Sequence, residues 1–145
     1  MGQVIICCSF VVVAACGSTQ APSTAPKTDV QVVIGDVSKS LSATPIAAEN
    51  ANRSVVQVAE GGLTVFVSLA SPLQSGVVSM SSSQASASVW AAQQGAAPLI
   101  ATQGQLSLEY AQGTLGITFD DIQKPEDSSG SKLMITGSIV NVAVP

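Results

Sequence analysis

An all-β fold is predicted: two antiparallel sheets packed as a sandwich, jelly-roll or immunoglobulin-like, with eight or nine strands after an N-terminal leader and tether. Three observations predict it. Short runs alternate apolar and polar residues with a period of two, clearest in "GLTVFVSL", where Leu63, Val65, Val67 and Leu69 share one face and Thr64, Phe66 and Ser68 the other. Turn residues separate these runs at Gly61-Gly62, Pro72 to Gly76, Gly95 to Pro98, Gly113 and "KPEDSSGS". No long stretch carries a convincing helical period.

Taken in order, the strand candidates begin with "VQVVI" at 30–34, "SVVQVA" at 54–59 and "GLTVFVSL". "GVVSM" at 76–80 and "ASVWAA" at 87–92 follow. "QLSLEY" sets Leu106, Leu108 and Tyr110 opposite Gln105, Ser107 and Glu109, and "TLGITF" continues with Leu115, Ile117 and Phe119. In the closing "KLMITGSIVNVAV" the apolar residues change from odd positions (Leu133, Ile135, Ile139) to even ones (Val140, Val142, Val144). That change requires a bulge or bend at Ile139 to Val140. "PIAAENANR" stays open between two readings, a short helix capped by Thr44 with Pro45 at its first position and an edge strand.

Composition limits the chemistry. The 145 residues are 46% hydrophobic and 10% charged, the balance of a folding domain and the opposite of a disordered tail. The chain has no histidine, which removes Ser-His-Asp and Cys-His catalysis and His-ligated zinc. Five basic residues against nine acidic ones, unclustered, exclude a nucleic-acid surface.

All three cysteines, Cys7, Cys8 and Cys16, lie in the first sixteen residues. Val4 to Ala15 is apolar apart from Ser9, and as a helix its twelve residues would span roughly 18 Å, too short for a bilayer core of about 30 Å. The length suits the apolar region of a secretory signal. Val13-Ala14-Ala15-Cys16 resembles the lipobox of bacterial lipoproteins, although Met1-Gly2-Gln3 offers only the terminal amine where such signals carry Lys or Arg. The resemblance implies a signal peptide over residues 1–15, cleavage before Cys16, a diacylglycerol thioether on its thiol and anchorage to a membrane. The exported chain then keeps no free thiol. Residues 16–28 read as the lipidated cysteine and a flexible Ser/Thr/Ala/Pro tether reaching roughly 35 Å when extended, and 29–145 as the domain. Because Gly17 and not Asp follows Cys16, the same resemblance implies the outer membrane of a two-membrane bacterium.

A lipobox, a tether and then "GQLSLEY", "GTLGITFDDI" and "KLMITGSI" together resemble the uncharacterised β-sandwich lipoproteins of bacterial envelopes. That likeness is architectural and transfers no site. It implies a non-catalytic structural or binding role without a cofactor. The alternatives are a carbohydrate- or peptide-binding module and, behind it, a hydrolase using carboxylates.

Candidate site residues are few. Asp120, Asp121, Glu126 and Asp127 put four carboxylates within eight residues, the oxygen chemistry calcium takes, but their spacing is not that of an EF-hand and such loops are ordinarily solvated turns. Asp120 and Asp121, as neighbours at a strand end, are expected on opposite faces, which rules them out as a glycosidase pair. Trp90 is the one candidate for ligand stacking. In a chain with 3% aromatic residues, it is expected to fill the core, and an exposed Trp90 would favour a binding module.

Overall fold

A strand with one apolar face stays buried only if a second apolar face covers it, and the chain meets this by building two sheets. The computed structural model describes residues 27–80 and 86–145. Among them run eleven strands: β1 (Asp29–Ile34), β2 (Val37–Leu41), β3 (Ile46–Asn50), β4 (Arg53–Glu60), β5 (Leu63–Ala70), β6 (Gly76–Ser79), β7 (Ala87–Gln93), β8 (Leu99–Ile100), β9 (Gln103–Ala111), β10 (Thr114–Lys124) and β11 (Leu133–Ala143). A six-stranded sheet, ordered β2-β1-β11-β10-β9-β6, packs on a five-stranded sheet, ordered β3-β4-β5-β7-β8. All strand pairs are antiparallel, so the fold is the expected β-sandwich. The first and last of these strands, β1 and β11, pair in the interior of the larger sheet, one strand in from its β2 edge.

The strand count is eleven where eight or nine were expected. The additional strands include β2 and β8, and the open segment after Pro45 is settled as edge strand β3. All three lie at sheet edges, where one neighbour suffices and a strong apolar alternation is not required. β2 buries only Leu41, and β3 has no fully buried residue.

The core lies between the sheets. Leu63, Val65, Val67 and Leu69 of β5 are at most 1% exposed, as their alternation predicts, and Leu115, Ile117 and Phe119 of β10 close over the same core from the other sheet. Burying each such aliphatic side chain is worth about 1.5–3 kcal/mol. Thr28 belongs to the fold too: it is buried, and its hydroxyl accepts a hydrogen bond from the Val140 amide at 3.3 Å.

Two bulges shape the larger sheet. Between the pairs Leu115–Val142 and Ile117–Ile139, β11 uses one residue more than β10, and Asn141 takes a φ of 53°. This bulge moves the buried face from Ile139 to Val142, the parity change read in the sequence. The second lies on β10 between Phe119 and Ile122, where Asp121 has a φ of 55°. β10 therefore does not end at Phe119 but runs on to Lys124. Gly104 of β9 accommodates this bulge, since a Cβ there would stand 2.3 Å from the Asp121 carbonyl oxygen.

Candidate functional site

Trp90 does not fill the core. On β7 the core receives Ala87, Val89 and Ala91, so Trp90 projects from the opposite, outer face of the five-stranded sheet, half-buried. The cause is register. β7 pairs with β5, Val67 stands opposite Val89 and Val65 opposite Ala91, and Phe66, on the outward face of β5, is thereby opposite Trp90. The two rings stack, with centroids 5.1 Å apart and planes 12° from parallel, a contact worth about 0.5–1.5 kcal/mol beyond area burial.

The aromatic pair is the middle of a longer row. Register carries it from Phe66 through Gln57 to Ile46 on edge strand β3, and from Trp90 to Ile100 on edge strand β8. Four inter-strand steps make the row about 19 Å long, running across the strands from one edge of the sheet to the other. Its two ends are its most exposed apolar members, Ile46 at 60% and Ile100 at 47%. Sequence reading placed Phe66 away from the core but had no means of joining it to Trp90, Ile46 and Ile100, because the row exists only once the strands are paired.

Charge is nearly absent from this face. Its single charge among the described residues is Arg53, whose Nε donates to the Ser68 hydroxyl at 2.7 Å and whose guanidinium also donates to the Ser68 carbonyl at 3.1 Å. The carboxylates of this sheet, Glu49 and Glu60, have core-side parity, opposite buried Ser54 and Leu63. Glu60 accepts the backbone N–H groups of Ser42, at 2.6 Å, and Ala43, at 3.2 Å. Every other carboxylate of the chain belongs to the six-stranded sheet or its turns.

The four candidate calcium carboxylates, Asp120, Asp121, Glu126 and Asp127, are all exposed, and only Asp127 is held by neighbours. Asp120 and Asp121 sit within the β10 bulge and are both exposed, so the expected opposition of faces fails: the extra residue interrupts the alternation. Asp127 is held by the Lys124 ammonium at 2.6 Å and by the hydroxyl and amide of Ser129. The lysine first, and Ser129 after it, hold the Asp127 carboxyl well below the usual carboxylate range. Among the described residues no group of three or more potential ligands gathers closely enough for a metal ion. Millimolar calcium is therefore expected to leave the melting temperature unchanged. A site with a Kd of about 10 µM would add about 2.7 kcal/mol at about 1 mM, so a rise of several degrees, abolished by Asp121→Asn, would reverse this assignment.

On the six-stranded sheet a shallow cleft of about 410 Å³ is floored by Gly116 and bordered by Glu109, Thr114 and Asn141. Glu109 is its one carboxylate, so the cleft does not contain the paired acid and base that carboxylate hydrolysis uses. Cys16, the expected lipidation site, lies outside the described residues. No protein-family model, curated protein or solved structure matches the chain.

Proposed function

We propose that the chain is a lipid-anchored protein of the bacterial cell envelope, outer membrane included, with a non-catalytic binding role. In this reading the outer face of the five-stranded sheet is the binding surface. The observation that carries it is the outward position of Trp90 in a nearly uncharged row that crosses the whole sheet. A soluble domain gains nothing in core stability from Ile46 and Ile100 exposed at the two ends of such a row, whereas a partner covering them gains their apolar area. The anchor is supported by the lipobox-like Val13 to Cys16 and by the absence of cysteine after it.

A carbohydrate or peptide ligand is the second reading, favoured by the same outward position of the half-buried Trp90: sugars stack on aromatic rings, and an extended peptide adds to a sheet edge such as β3. The stacked Phe66 already occupies one face of the indole.

Thiol accessibility tests the binding surface. Ser88→Cys introduces a thiol beside Trp90, and Ser107→Cys one on the outer face of the opposite sheet. In intact cells the Ser88→Cys protein is expected to react with maleimide several-fold more slowly than after purification, while the Ser107→Cys protein reacts alike in both. Equal reactivity of Ser88→Cys in cells and in purified form removes the binding surface from this sheet.

A further inference from the structure

We propose that the row Ile46–Phe66–Trp90–Ile100 rests on the lipid surface to which the chain is anchored, so that the sandwich lies with its five-stranded sheet against the membrane. The inference rests on the anchored reading and names the occupant of the binding face. Three observations select a lipid surface.

The first is the charge distribution. The chain carries a net charge of −4, yet the outer face of the five-stranded sheet holds no carboxylate among the described residues, and its single charge is the cation Arg53. The turns of that sheet, at Ala51-Asn52, Gly61-Gly62 and 94–98, are uncharged as well. An anionic lipid surface is repelled by the carboxylate-bearing sheet and accepts this one.

The second is the kind of side chain exposed. Ile46 and Ile100 are aliphatic, and Trp90 is an indole flanked by Phe66. Aliphatic tips and an amphipathic indole match the boundary between headgroups and acyl chains, where tryptophan is enriched.

The third is where the anchored end of the chain enters the fold. Lys27 and Thr28 line one cleft together with Ala43 and Pro45, and Pro45 directly precedes Ile46. Lys27 and Thr28 therefore lie beside the segment that leads into β3, the edge strand that carries Ile46. An anchor at Cys16 keeps that row within a short tether of the bilayer, at an effective concentration in the millimolar range, so a modest apolar area suffices to hold the face down.

A second copy fits less well. The strands of this sheet are five, eight, eight, seven and two residues long, and at about 16 Å² of face per residue two copies face to face cover about 1,000 Å² in total, under the roughly 1,200–2,000 Å² of stable interfaces.

Trp90 is the only tryptophan, which makes it the reporter. The processed full chain is reconstituted into vesicles of phosphatidylethanolamine and phosphatidylglycerol with acyl chains brominated near the headgroup. Trp90 emission is expected to shift to the blue and to lose at least half its intensity, and acrylamide quenching to fall several-fold relative to the protein in detergent-free buffer. Ile46→Glu with Ile100→Glu, both at exposed positions, is expected to restore the aqueous emission while the protein still floats with the vesicles. If the wild type floats but Trp90 is neither quenched by brominated chains nor shielded from acrylamide, the membrane-facing row is wrong and the anchor stands. Shielding without lipid quenching assigns the face to a second copy of the chain and also overturns the proposal. If the wild type does not float, the anchor itself fails, and this inference with it.

Discussion

Gly137→Ala is expected to destabilise the domain by about 3–5 kcal/mol, a large share of the 5–15 kcal/mol that holds an ordinary domain together. Gly137 has a φ of 100°, where L side chains are strained, and a Cβ there would stand 2.1 Å from the Asp29 carbonyl oxygen. That oxygen is backbone, fixed in the β1–β11 ladder, so neither partner can rotate away. Strain at such a φ contributes about 1–3 kcal/mol and the steric displacement a similar amount. Gly130→Ala is the control, because Gly130 also has a positive φ, 77°, but its Cβ would meet nothing within 4 Å. It should lose only about 1 kcal/mol. The difference is measurable as the shift in denaturant midpoint at constant slope. Equal midpoints for the two variants would mean that the β1–β11 junction yields to a methyl group. Since this junction joins the first and last of the described strands in the interior of the larger sheet, its failure should unfold the domain as a whole.

Cys16→Ser is expected to move the protein from the membrane fraction to the soluble fraction or to arrest it unprocessed. Under the proposed anchor, the hydroxyl cannot form the thioether, and the variant lacks acyl chains that each contribute about 0.8 kcal/mol per buried CH₂. In the proposed arrangement, a sheet face without its anchor loses the effective concentration the tether supplies, so residual binding should be weak and reversible. Mass spectrometry of the N-terminal peptide provides the second readout, a lipid adduct on the wild type that the variant lacks. Identical fractionation of the two proteins, with no adduct on either, would leave the lipobox-like stretch without function.

Much of the fold was legible because β alternation is a local property. Leu63, Val65, Val67 and Leu69 declared their face within eight residues, and the change of parity after Ile139 declared a bulge before any strand was paired. The edges were not legible. β2 and β8 carry little apolar alternation, since one neighbour and a partly solvated face ask for little. The Asp120-Asp121 bulge was hidden too, because two adjacent polar residues read equally well as the end of a strand.

The candidate site shows the division most clearly. In "ASVWAAQ" both faces mix small and apolar residues, so the period alone does not choose which one enters the core, and general hydrophobicity favours the tryptophan. The choice was made by β5. Its Val65 and Val67 are committed inward, and the register opposite Ala91 and Val89 carries Trp90 outward with Phe66. By itself the sequence determined the all-β class, the inward residues of the strongly alternating strands and the confinement of cysteine to the first sixteen residues, all of which are read along the chain. Strand order, edge identity and the outward row from Ile46 to Ile100 depend on neighbours across the sheet. Only the tertiary structure decided those, because hydrogen-bonded pairing between strands distant in sequence sets which side chains stand side by side.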